Sequence, residues 1–224
     1  MPIKGTGSTS LVEIDRFDGG VGWMAYPEER MQRASHALVD GDDLWLVDPV
    51  DADGLDELLA EYGEVRGVVV LFDRHQRDAV TLAARYGVPV YVPAWMSGVA
   101  DIDAPIERFD DGVGGFEPIR LVDNPLWQEA ALHDGETLLV PESLGTASFF
   151  LAAGERIGVH PMRRLLPPRS LRSYGFDRVL VGHGEGVFAD AEAAVRDALA
   201  NARSRAPSLY WRTLKEFLGR RGRS

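Results

Sequence analysis

The chain has 224 residues, 45% of them hydrophobic and 26% charged, with a formal net charge of −11 and no cysteine. That length suits one large domain or two small ones, with enough core to fold unaided. Without cysteine there can be no disulfide, iron–sulfur cluster or thiolate zinc site, so a metal must be held by His, Asp, Glu or backbone oxygen. The acidity argues against nucleic-acid binding, which needs phosphate neutralisation.

The start, "MPIKGTGSTS", lacks a signal-peptide core, and no run of 18 apolar residues follows, so a cytoplasmic protein without a transmembrane segment is expected. Residues 11–16 and 22–26 read as short strands around a Gly turn. "SHALVDGDDLWLVDP" (35–49) reads as a hairpin on a Gly-Asp turn. Asp53 is placed to cap a helix to Tyr62, with Leu55, Leu58 and Leu59 on one face. "VRGVVVLF" (65–72) is apolar throughout, as in a strand covered on both faces. A helix over 77–86 ended by Gly87 and a strand "VPVYVP" (88–93) follow. Residues 44–93 therefore alternate strand and helix, the signature of layered α/β folds.

Residues 94–118, rich in Gly, Asp and Pro, read as irregular. "IRLVD", "WQEAAL" and "ETLLVP" read as successive antiparallel strands, the last two joined by a turn at "HDG". "PPRSLRSYG" suggests a short helix, "FDRVLVGHGEG" a strand entering a Gly-rich loop, and Asp190 the start of a helix to about Ala202. Residues 201–224 carry seven basic residues and one acid, so they read as a separate basic tail. Within it Trp211, Leu214 and Leu218 share a helical face with Tyr210 and Phe217, opposite Arg212, Lys215 and Arg220. Such a helix suits an anionic membrane surface, a second subunit or the acidic body itself.

Five stretches, in this order, carry a resemblance: "LWLVDP" with Asp48, "DRHQRD" after a buried strand, "NPLWQEAAL" before a hairpin, "ETLLVPES" with Glu142, and "RVLVGHGE" with His183. Over residues 10–200 the chain resembles the metallo-β-lactamase superfamily. The resemblance implies a four-layer α/β/β/α sandwich for residues 1–200, followed by the tail at 201–224. It also implies a metal-dependent hydrolase. In the family's His-x-His-x-Asp-His motif, Asp73 stands at the first His, His75 at the second, Arg77 at the Asp and Asp78 at the last His. The third-motif His falls near Asn124. Glu142 replaces the bridging Asp, His183 matches the final His, and Asp48 matches the buried Asp of the first motif.

The ligand set is thus much altered. Asp73 and His75 share a face if the segment is extended, and His75 and Asp78 are neighbours on a first helical turn. With Glu142 and His183 they are candidates for one divalent ion (Mn, Fe or Zn), the oxygen-rich set leaning toward harder ions. Arg77 argues against two ions. At about 4 Å and an effective ε of about 20, it repels a dication by roughly 8 kcal/mol, enough to erase micromolar binding. As an electrostatic substitute for a second cation, Arg77 is expected to grip Asp78 or Glu142. His160, Arg163 and Arg164 are candidates to bind an anionic substrate. No G-x-S-x-G elbow, P-loop or G-x-G-x-x-G is present. Two functions stay open: single-metal hydrolysis of an ester, thioester or phosphoester, or a metal-free binding or scaffold protein.

Overall fold

The computed structural model describes residue 5, residues 10–99 and residues 102–221, with backbone only at 213, 214 and 216–221. The chain opens with an antiparallel meander, β1 (Val12–Phe17), β2 (Gly20–Met24), β3 (Ala34–Asp40) and β4 (Asp43–Val47). Helix α1 (Leu55–Leu59), β5 (Glu64–Val69), α2 (Ala79–Tyr86), β6 (Val90–Pro93) and β7 (Ile106–Phe109) follow. Each of these strands runs parallel to its predecessor, completing a seven-stranded sheet ordered β1 to β7. Then come β8 (Glu117–Asn124), β9 (Trp127–His133), β10 (Thr137–Val140), a two-stranded ribbon of β11 (Leu144–Gly145) and β12 (Gly158–Val159), β13 (Arg178–Val181) and α3 (Ala191–Arg221). The second sheet is ordered β13-β10-β9-β8, with β13 parallel to β10.

Side chains alternate faces along a strand, and here both faces are apolar. Leu44, Leu46, Val68 and Val70 face α1 and α2, packing on Leu55, Leu58 and Leu82. Their neighbours Val47, Val69 and Leu71 face inward, against Ala130, Leu132, Leu139 and Leu180 of the second sheet. On that sheet's far side Leu138, Val140, Val179 and Val181 pack on Val195, Ala198, Leu199 and Ala202 of α3. Three apolar layers between four structural layers give the α/β/β/α sandwich.

The two sheets are laced together at one end. Phe72 bridges Glu129, and the Ala130 amide donates to Leu71 O at 2.8 Å. Arg33 bridges His183, and the Ala34 amide donates to Gly182 O at 3.0 Å. Here the carboxyl ends of β4, β5, β10 and β13 converge, where α/β folds usually bind ligands.

Several expectations need correction. Asp53 does not cap α1; the cap position is Gly54, in the left-handed region at φ 86°, and no side chain serves it. The stretch 94–118 contains an edge strand, β7, hidden because "IERF" buries only Phe109 fully. The last helix runs on past Ala202 and through Pro207 to Arg221. Its residues Ala206 and Leu209 are buried, Tyr210 Oη donates to Pro161 O at 2.8 Å, and Arg212 donates to Ser148 O at 2.7 Å. The expected roles of the Leu214, Phe217, Leu218 and Arg220 side chains lie outside the described residues. Among the described residues no helix is long and apolar enough to cross a membrane.

Candidate metal centre

At the laced end a strand terminus supplies each key residue. Asp48 directly follows β4, His75 lies in the loop after β5, Glu142 follows β10, His160 follows β12 and His183 follows β13. Glu142 is the hub. Its Oε2 lies 2.9 Å from His75 Nε2 and 2.8 Å from His183 Nε2, and its Oε1 lies 3.2 Å from His160 Nε2. All four residues are buried. One ligand atom each from His75, Glu142 and His183 falls within 4.8 Å of the others. A cavity of about 250 Å³ opens beside them.

The far side of each imidazole fixes its proton. His183 Nδ1 is 2.8 Å from the Met31 carbonyl, which can only accept, so this nitrogen carries hydrogen. His75 Nδ1 is 3.1 Å from Asp48 Oδ2, and Asp48 Oδ1 accepts the Leu71 amide at 3.1 Å. His160 is reversed: its Nδ1 accepts the Met162 amide at 3.2 Å, so its Nε2 donates to Glu142. In the neutral ring, His75 and His183 each turn an Nε2 lone pair toward the same carboxylate oxygen. That arrangement lacks positive charge. A His-Glu-His cluster of this kind can hold a metal ion, which would supply it, and ring tautomers fixed from behind are the usual preparation for metal ligation.

Without an ion, the pull of the carboxylates on the rings and burial oppose one another. Burial pushes the Glu142 carboxyl up, but His183 and His75 overcome it and hold the group well below the ordinary range. Burial and Arg77 push His75 down, yet Asp48 and Glu142 carry it above its usual value. Burial wins for His183, which is lowered, and for His160, which falls to about 4.

Two neighbours hold the cluster. Glu129, fully buried, accepts the Glu142 amide at 3.1 Å, the Ser143 amide at 2.7 Å and Trp127 Nε1 at 2.7 Å. Phe150 stacks on His183, with centroids 5.3 Å apart. The sequence assigned Glu129 and Met31 no role. The one legible signal was a glutamate inside the apolar stretch "WQEAAL"; a carbonyl leaves none.

Of the candidates, His75, Glu142 and His183 come together, with Asp48 behind them and His160 beside them. Asp73 and Asp78 lie outside the cluster. The segment is neither extended nor helical: the His75 amide donates to Phe72 O at 2.9 Å in a tight turn, and Arg77 has φ 41°. Asp73 is thereby turned against Gly98, with Arg74 at 4.0 Å. Asp78 Oδ2 accepts the Asp51 amide at 2.9 Å, facing an acidic cleft on the α1–α2 side.

Arg77 grips neither Asp78 nor Glu142. It donates to three carbonyls, Ala34 at 2.6 Å, Asp48 at 2.7 Å and Gly182 at 3.0 Å. Arg164 is wholly buried on Glu155, at 3.0 and 2.5 Å, and cannot meet a substrate. Arg163 stays near the cavity, over Trp127. Asn124 lies in the β8–β9 turn, where its side chain accepts the Leu126 amide at 3.0 Å.

The chain has the metallo-β-lactamase fold. It is similar to the metallo-β-lactamase from Pontibacter korlensis, at 13% identity over 86% of this chain and 100% of that one, with a TM-score of 0.61. The DIM-1 metallo-β-lactamase is 14% identical over 90% of this chain and 99% of that one, with a TM-score of 0.59. A metal-soaked Flv1 flavodiiron core from Synechocystis is 13% identical over 88% of this chain and 62% of that one, with a TM-score of 0.61. No protein-family model matches the chain, and no curated protein matches it significantly.

Proposed function

We propose that the protein is a hydrolase working with a single divalent ion, held by His75 Nε2, His183 Nε2 and Glu142. The observation that carries this is the shared Glu142 Oε2, faced at 2.9 and 2.8 Å by two Nε2 atoms whose Nδ1 hydrogens are committed elsewhere. Two imidazoles and one carboxylate favour zinc over the harder ions that the oxygen-rich set suggested, and three protein ligands leave a position open, as in catalytic zinc sites. When bound, such an ion lowers the pKa of water and polarises a carbonyl or phosphoryl oxygen. Asp48 orients His75, the Met31 carbonyl orients His183, and the His160 N–H steadies Oε1 of Glu142. Trp127 and Phe72 form an apolar wall of the cavity beside the ligands. The reaction class is hydrolysis of an ester, thioester or phosphoester.

Elemental analysis of protein purified without chelators tests this. One zinc per chain, lost in His75→Ala and in His183→Ala, together with turnover on a panel of 4-nitrophenyl esters and phosphodiesters, is expected. A second reading, a non-catalytic binding protein, draws on Arg77, a fixed cation already lodged among the strand ends. Protein that stays metal-free after zinc soaking would favour that reading and sink the first.

A further inference from the structure

The mouth of the cavity differs in charge from the rest of the molecule. The chain as a whole carries −11, yet Glu142 is the one carboxylate lining this cavity among the described residues, and the three histidines enclose it. Two of the arginines near it are spent. Arg33 is paired with Glu29 at 2.8 Å, and Arg77 is bound to its three carbonyls.

Arg74 and Arg163 are different. Each guanidinium carbon lies 5.8 Å from the Trp127 ring, so two cations border one aromatic wall. Arg74 donates to the Leu126 carbonyl, and among the described residues the one carboxylate paired with it, Asp73, is 4.0 Å away. Arg163 is half-buried and, among the described residues, forms no salt bridge to a carboxylate. Around them Met162, which lines the cavity, and Leu126, whose carbonyl Arg74 holds, are 73% and 76% exposed and offer an apolar surface beside the two cations.

We propose that this rim selects a small anionic substrate bearing an aromatic or acyl group. The anion sits on Arg74 and Arg163, and the apolar part lies against Trp127, Met162 and Leu126. The inference rests on the hydrolase reading for its reaction but not for its binding. Guanidinium forks suit carboxylate, phosphate or sulfonate oxygens. On an acidic protein, a local cationic mouth also draws an anion toward the cavity.

Benzenesulfonate and benzyl alcohol form a matched anionic and neutral pair, and sulfonate is a weak metal ligand. Their binding to the full chain is measured by calorimetry, with zinc content determined on the same samples. Benzenesulfonate is expected to bind at least about tenfold more tightly than the alcohol, because its oxygens accept charge-assisted hydrogen bonds from the guanidinium groups that a neutral hydroxyl cannot match. Arg74→Gln with Arg163→Gln should abolish that preference and leave zinc content and melting temperature unchanged, while Arg74→Lys with Arg163→Lys should keep part of it. A preference absent from the wild type, or retained in the double Gln variant, overturns the proposal. If the protein holds no zinc but the preference and its loss are intact, the metal reading falls and the anion subsite stands.

Discussion

Asp48 Oδ2 lies 3.1 Å from Nδ1 of His75, on the side of the ring away from Glu142. Asp48 therefore acts through His75 as a positioning residue. Asp48→Asn keeps an acceptor for the Leu71 amide but removes the charge that holds hydrogen on Nδ1. The hydrogen can then move to Nε2, the atom needed for ligation. Zinc affinity should fall by about 10–100-fold, the usual cost of losing such a partner. Competition against a fluorescent chelator reads this directly, and unchanged affinity would remove Asp48 from the site.

Arg77 joins strand ends of both sheets through the carbonyls of Ala34, Asp48 and Gly182. Arg77→Met leaves three acceptors at a buried junction, and an unsatisfied buried group costs about 1–3 kcal/mol. A loss of about 3–5 kcal/mol in urea unfolding is expected, with partial recovery in Arg77→Lys. If Arg77 served only to exclude a second ion, stability would hardly change and metal stoichiometry would rise to two.

The parts of the fold and site that sequence exposes are those governed by local pattern. The apolar run at 65–72 and the strand before Gly182 announce layers buried on both faces, and they carry His75 and His183 at their ends. Glu142 is legible for the same reason, as an acid directly after an apolar strand. Asp73 and Asp78 are not, because spacing fixes a common face only if the backbone conformation is known. Here a turn after Phe72 and the left-handed Arg77 rotate both carboxylates away. Arg164 reads as a candidate for binding an anionic substrate; its burial depends on Glu155, nine residues away and equally buried. The basic tail reads as a separate object, yet its first turns continue the helix that covers the second sheet, since Ala202, Ala206 and Leu209 extend the buried stripe.

That Arg164–Glu155 pair gives a further test. Both side chains are fully buried, and the guanidinium also donates to the Phe150 carbonyl at 2.5 Å. Removing one member strands the other, a loss of about 3–5 kcal/mol. Glu155→Gln should therefore lower stability by about that much. Replacing both, with Arg164→Met and Glu155→Leu, should cost less than Glu155→Gln alone. A double-mutant cycle by urea unfolding checks this; a double variant worse than the single one would show that the pair itself adds net stability.

Glu29 yields the pH prediction. Burial pushes its carboxyl up, but hydrogen bonds from the Arg33 side chain and amide and from the Gly5 amide outweigh that and hold it below its usual value of 4.5. The folded pKa is depressed, so the stabilisation is fully present above the unfolded value and fades as pH falls through the folded one. Glu29→Gln should cost about 3 kcal/mol at pH 7, as breaking a buried pair does. The gap between variant and wild type should narrow steadily below pH 4.5, as the wild-type carboxyl takes up its proton. Urea unfolding of both proteins from pH 7 to pH 3 measures the gap. A gap that stays constant across that range would mean that the Glu29 charge contributes nothing and only its shape matters.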